Sequence, residues 1–114
     1  KELLTHSEAG GPPDALFCGN DVIALGALQY AQETGIRVPQ ELCIAGFDGI
    51  SYASLAQIRL TTIRQDRQRM GETATHLLLD EIESNSEPAV QKVLLTPTLL
   101  AQATTGDMRL DAAR

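Results

Sequence analysis

The sequence predicts an α/β protein, a doubly wound parallel sheet with helices on both faces. Three observations predict it. Two short apolar runs, Ala15-Leu16-Phe17-Cys18-Gly19 and Leu42-Cys43-Ile44-Ala45-Gly46-Phe47, lack the polar alternation of a half-exposed strand, as expected where both faces are covered. The segment between them changes to a helical period. The same alternation continues downstream, and strand-helix-strand order is the signature of a parallel sheet with crossover helices.

Taken in order, residues 1–14 are a short helical start and a breaker cluster, Ala9-Gly10-Gly11-Pro12-Pro13-Asp14. A strand follows at 15–19. Asn20 or Asp21 can cap the next helix, over 21–34, by accepting a bond from one of its unpaired amides. Gly35 stands where a C-terminal glycine ends a helix, and Pro39 blocks continuation. Residues 42–47 form the second strand, 51–56 a short helix, and Leu60-Thr61-Thr62-Ile63-Arg64-Gln65 the third strand. From Asp66 the period is helical again: Met70, Ala74, Leu77, Leu78 and Ile82 recur on one face of a helix that ends near Glu83. Ser84-Asn85-Ser86-Glu87-Pro88 is a loop, 90–96 a further strand, Leu99–Gln102 a segment that can pair again, and 106–114 a frayed tail.

Composition narrows the function classes. With 114 residues the chain suits one small domain, and 43 % hydrophobic with 21 % charged residues is ordinary for a globular protein. Nine basic against fifteen acidic residues give a net charge of −6, which argues against phosphate contact by this stretch itself. Arg59, Arg64, Arg67 and Arg69 read as solvated strand and helix ends. Cys18 and Cys43 lie inside apolar runs and read as small core residues in a reduced, cytoplasmic protein. No apolar run is long enough for a membrane span, the opening Lys1-Glu2-Leu3-Leu4 is no signal peptide, and a start without Met reads as a fragment. Nucleophile, P-loop and metal-ligand motifs are lacking, and His6 and His76 are far apart in sequence, so no enzyme, metal or cofactor is expected.

In doubly wound sheets ligands bind beyond the carboxyl ends of the strands. Asn20, Asp48 and Gln65 fall at those ends, and parallel pairing would bring them to one rim. On the helical wheel of 21–34, Ile23, Ala24, Ala27, Leu28, Tyr30 and Ala31 form the face expected to meet the sheet. Val22 and Leu25 project among Gln29, Gln32 and Glu33. Two large apolar residues on a wet arc, with Leu55 nearby, suggest a partner surface as readily as simple exposure.

Several pieces together resemble the C-terminal part of LacI/GalR-type transcriptional regulators, over about Pro13 to Thr105: the strand-ending Asn20-Asp21, Ala24-Leu25-Gly26-Ala27, Gly35-Ile36-Arg37-Val38-Pro39, Gly46-Phe47-Asp48, Leu60-Thr61-Thr62-Ile63-Arg64-Gln65, and Met70-Gly71. The resemblance implies part of a Rossmann-like, periplasmic-binding-protein-like core, with a small sugar-like effector between two lobes. It implies C-terminal-lobe elements over 13–65, N-terminal-lobe elements over 66–98, a return segment at 99–105 and a tail at 106–114. It carries effector contact to Asn20 and Asp48, a cleft position to Gln65, and homodimer contact to Val22, Leu25 and Leu28, with Leu55 joined to them. DNA contact is implied only through a helix-turn-helix that this chain lacks. Ile58, Gly49 and Gln102 depart from the residues common there. A periplasmic solute-binding protein of the same fold is the alternative.

Turn or cap chemistry competes with ligand contact at Asp48, capping at Asn20, and hinge packing at Gln65. The double carboxylate oxygen of Asp48 suits vicinal hydroxyls of a sugar or N–H groups of a base.

Overall fold

The computed structural model describes residues 11–54, 57–84 and 90–106. Its elements are β1 (Ala15–Phe17), α1 (Asp21–Thr34), β2 (Cys43–Asp48), a 3-10 turn (Ser51–Ser54), β3 (Thr61–Arg64), α2 (Arg67–Glu83), β4 (Thr98–Leu100) and a second 3-10 turn (Ala103–Thr105). They fall into two compact units, Lys1–Arg64 with Leu99–Arg114, and Gln65–Thr98.

The four-stranded sheet has the order β1-β2-β3-β4. β1 and β2 run parallel with Leu16 opposite Ile44, and β2 and β3 run parallel with Gly46 opposite Thr62. Side chains alternate across a sheet, and the alternation defines two unlike faces here. Ile44, Gly46, Leu60 and Thr62 are buried and turn toward α1, where Cys18, Ala24 and Leu42 complete the core. Each fully buried aliphatic side chain such as Ile44 contributes about 1.5–3 kcal/mol relative to exposure. On the other face the described residues give less cover, and Phe17 is 63 % exposed.

α1 begins and ends where its sequence signals stand. Asn20 is extended and its side chain accepts from Ile23 N, while Gly35, at φ 75°, bonds through its N–H to the Ala31 and Gln32 carbonyls. The cap is therefore Asn20 and not Asp21. The buried stripe is Asp21, Ala24 and Ala31, so Ile23, expected against the sheet, is 58 % exposed. The reason is rotational: Asp21 is drawn inward by its own hydrogen bonds, and Ile23, about 200° further round the helix, is turned outward.

Three further expectations are corrected. Residues 90–96 are not a strand; the paired segment is β4, later in the chain. β propensity in Val90, Val93 and Leu94 makes a strand only where a neighbour supplies hydrogen bonds, and Val90 and Leu94 are exposed. The short helix expected over 51–56 is a 3-10 turn at Ser51–Ser54, and residues 55 and 56 lie outside the described residues. Finally, α2 has the expected length and its cap, Asp66 accepting from Arg69 N, yet none of its residues is buried; Ile82 is 69 % exposed.

Candidate functional site

The two consecutive threonines of β3 explain how the ends of the strands are held. Neighbouring residues on a strand face opposite ways, so Thr61 and Thr62, both buried, serve different partners. Thr61 turns to the return segment. Its Oγ accepts from Gln102 N at 2.8 Å, its hydroxyl lies 2.8 Å from that of Thr105, and its N–H donates to Thr104 Oγ at 2.9 Å. Thr104 Oγ in turn donates to the Ile44 carbonyl at 2.6 Å, and the Gln102 side-chain amide donates to the Leu60 carbonyl at 2.8 Å. Gln102, Thr104 and Thr105 thus fasten the segment after β4 to the amino-terminal part of the sheet.

Thr62 turns the other way and meets Asp21. Its hydroxyl donates to Asp21 Oδ1 and accepts from Gly49 N at 3.3 Å, and Asp21 Oδ2 accepts from Ile50 N at 2.8 Å. The Asp21 side chain is wholly buried, yet both of its oxygens are satisfied, as a buried carboxylate requires. Gly46 makes room for it. A Cβ there would collide with Asp21 Oδ1 and come within 3.2 Å of Asp21 Cα and Ala24 Cβ.

The result is a turn at the carboxyl end of β2 whose two amides, Gly49 and Ile50, both point into the molecule. The backbone pays for this at Asp48, which has φ 114°. Such a conformation costs a non-glycine residue on the order of 1–3 kcal/mol and persists only where its surroundings impose it. Gly49, at φ 65°, lies so close to Arg64 that a Cβ would fall 2.6 Å from Arg64 Cβ. Any side chain here would displace the end of β3.

Asn20 lies as far past Phe17 as Asp48 lies past Ala45, and Phe17 and Ala45 are partners in the ladder. Asp48 is itself in register with Arg64. Asp48 and Arg64 therefore stand level, and Asn20, three residues past the last ladder pair of β1, lies beyond the carboxyl end of the neighbouring parallel strand. Asn20 does two things at once in principle: its oxygen holds Ile23 N, while its NH₂ group carries two donors. Gln65 follows Arg64 directly and opens the second unit. Sequence reading missed Asp21 and Thr62 as the residues that hold this turn.

On the flank of α1, Leu25 and Leu28 line a groove of ≈ 470 Å³ with Ile36, Val38, Tyr52 and Ile58. Val22 is 67 % exposed, and Leu55 lies outside the described residues. The Cys18 and Cys43 thiols are free, and burial pushes the Cys18 thiol above its ordinary pKa. No helix among the described residues is long and apolar enough to cross a membrane, and no cluster of three or more His, Cys, Asp or Glu among them could hold a metal ion.

Residues 1–105 match the family of periplasmic binding protein-like domains. The chain is 41 % identical over 95 residues to the HTH-type transcriptional repressor PurR of Erwinia tasmaniensis, across 83 % of this chain and 28 % of that protein. Among solved structures it resembles a LacI transcriptional regulator from a Rhodococcus species, with TM-score 0.80, 32 % identity, and cover of 92 % of this chain and 37 % of that one. It also resembles the lac repressor dimer bound to operator and the anti-inducer ONPF, with TM-score 0.75, 31 % identity, and cover of 93 % and 32 %. The chain thus spans less than a third of the length of the PurR repressor it matches. Parallel strands and these likenesses agree: the chain belongs to the periplasmic binding protein-like domain family, and over most of its length it is similar to part of LacI-type transcriptional regulators.

Proposed function

We propose that this chain binds a small polar effector, sugar-like or a nucleobase, and contributes to a homodimer within a cytoplasmic LacI-type regulator of transcription. The observation that carries this reading is that Asn20 and Asp48 both fall at the carboxyl ends of adjacent parallel strands, Asn20 just after β1 and Asp48 as the last residue of β2. The Asp48 carboxylate accepts two hydrogen bonds from vicinal hydroxyls or from ring and exocyclic N–H groups, and the Asn20 NH₂ group donates a third. Gln65, which both donates and accepts, adds a contact from the segment that leaves β3. No bond is made or broken in this reading; the protein acts by binding alone.

Effector binding changes DNA affinity only as far as the effector prefers one arrangement of the protein over another. With a net charge of −6, this part leaves DNA contact to a helix-turn-helix outside it. Val22, Leu25 and Leu28 on α1 form the surface for a second copy. The lac repressor structure it resembles is a dimer on operator with an anti-inducer, which supports all three partner types together.

Titration calorimetry of the full-length protein against a panel of sugars and nucleobases tests the site. Hydrogen bonds to a charged group contribute about 1.5–3 kcal/mol, so Asp48→Ala is expected to weaken the effector found about ten- to hundredfold. Unchanged affinity would remove Asp48 from the site.

A further inference from the structure

The geometry points to Asp21 and Thr62 as the positioning residues of the effector site: a buried carboxylate-hydroxyl pair that fixes the Asp48-Gly49-Ile50 turn and so sets the Asp48 backbone at the end of β2. The inference rests on the reading of Asp48 as an effector contact, but its test does not need the effector.

Four facts converge. Asp21 is wholly buried and uses both oxygens, one for the Thr62 hydroxyl and one for Ile50 N. Thr62, equally buried, passes the restraint on by accepting from Gly49 N. Gly46 is a glycine at the one place where a Cβ would strike the Asp21 carboxylate. Asp48, the residue just before the two restrained amides, carries the positive φ. With Gly49 N–H and Ile50 N–H both drawn inward, the peptide plane after Asp48 has one orientation, and the Asp48 backbone is held in a conformation it would leave if released.

Sequence separation shows why this is more than a local turn. Asp21 lies 29 residues before Ile50 and 41 before Thr62, so the first turn of α1, the end of β2 and the middle of β3 are tied at one point. Asn20, which caps α1, is the immediate neighbour of Asp21. One carboxylate thereby sets two rim residues: Asp48 through the turn, and Asn20 through the start of the helix. Neither Asp21 nor Thr62 is expected to touch the effector.

Hydrogen exchange of the full-length protein without ligand, resolved to short peptides, tests this with Thr62→Val, Thr62→Ser and Asp21→Asn. Valine keeps the shape of threonine and removes the hydroxyl; serine keeps the hydroxyl. The expected result for Thr62→Val is exchange at Gly49 and Ile50 at least about tenfold faster, with exchange in Ala24–Ala31 and at Ile44 unchanged, and protection restored in Thr62→Ser. Asp21→Asn retains one acceptor and is expected to fall between. Equal acceleration across α1 and β2 would assign the pair a general packing role and overturn the inference, as would a Thr62→Val protein with an unchanged turn. If the turn loosens as expected while Asp48→Ala leaves effector affinity intact, the positioning holds and the assignment of Asp48 to the effector fails, so the two readings are separable.

Discussion

α1 and α2 carry the same two sequence signals and end in different circumstances. Each shows an apolar recurrence at helical spacing, and each is started by a side chain that accepts from the backbone N–H three residues on, Asn20 for Ile23 and Asp66 for Arg69. α1 buries Asp21, Ala24 and Ala31; α2 buries nothing. Periodicity and capping are thus enough to form a helix and do not by themselves bury one of its faces. A charged residue is as enclosed as any in α1, because Asp21 accepts from two donors, Ile50 N–H and the Thr62 hydroxyl, and that hydroxyl in turn accepts from Gly49 N–H.

The largest expected effect sharpens this contrast. Ile44→Ala in the core under α1 is expected to cost about 2–5 kcal/mol in denaturant unfolding of the chain, whereas Leu78→Ala or Ile82→Ala on α2 is expected to stay within about 0.5 kcal/mol. Equal costs would erase the distinction. Gly46→Ala comes next: the added methyl must displace Asp21, an overpacking cost of about 1–3 kcal/mol, read as a lower unfolding midpoint. Caps should break the comparison, since they act locally. Asn20→Ala and Asp66→Ala are each expected to lose about 1 kcal/mol, the second visible as lost helicity in circular dichroism. The smallest effect concerns Cys18. Its pKa is raised in the folded protein by burial, so between the ordinary thiol pKa and the raised one the unfolded chain holds fewer protons, and stability falls as pH rises. Cys18→Ala should flatten that alkaline slope, and iodoacetamide should modify half-buried Cys43 before Cys18.

Much of the frame was legible because its signals are local. Asn20 and Gly35 bracket α1, and the unbroken apolar runs at 15–19 and 42–47 hold the parallel strands Ala15–Phe17 and Cys43–Asp48. What escaped is long-range. Asp21 beside a cap residue looks like a second cap, and nothing within a few residues reveals that its donors lie 29 and 41 positions on. The same reason hides the difference between Thr61 and Thr62, whose partners are the return segment on one side and α1 on the other. Residues 90–96 erred in the opposite direction: their composition suits a strand, but pairing is a property of two segments. Ile23 was misplaced because a wheel weighs hydrophobicity alone, while the rotation of α1 is set by a carboxylate.

The most direct measurement is a crystal structure of the full-length protein with its effector bound. The expected result is a polar ligand atom within hydrogen-bond distance of the Asp48 carboxylate and another near the Asn20 NH₂ group, with the Asp21 carboxylate still joined to Ile50 N and Thr62. An effector seated away from the carboxyl ends of β1 and β2, with Asp48 turned from it, would contradict the assignment.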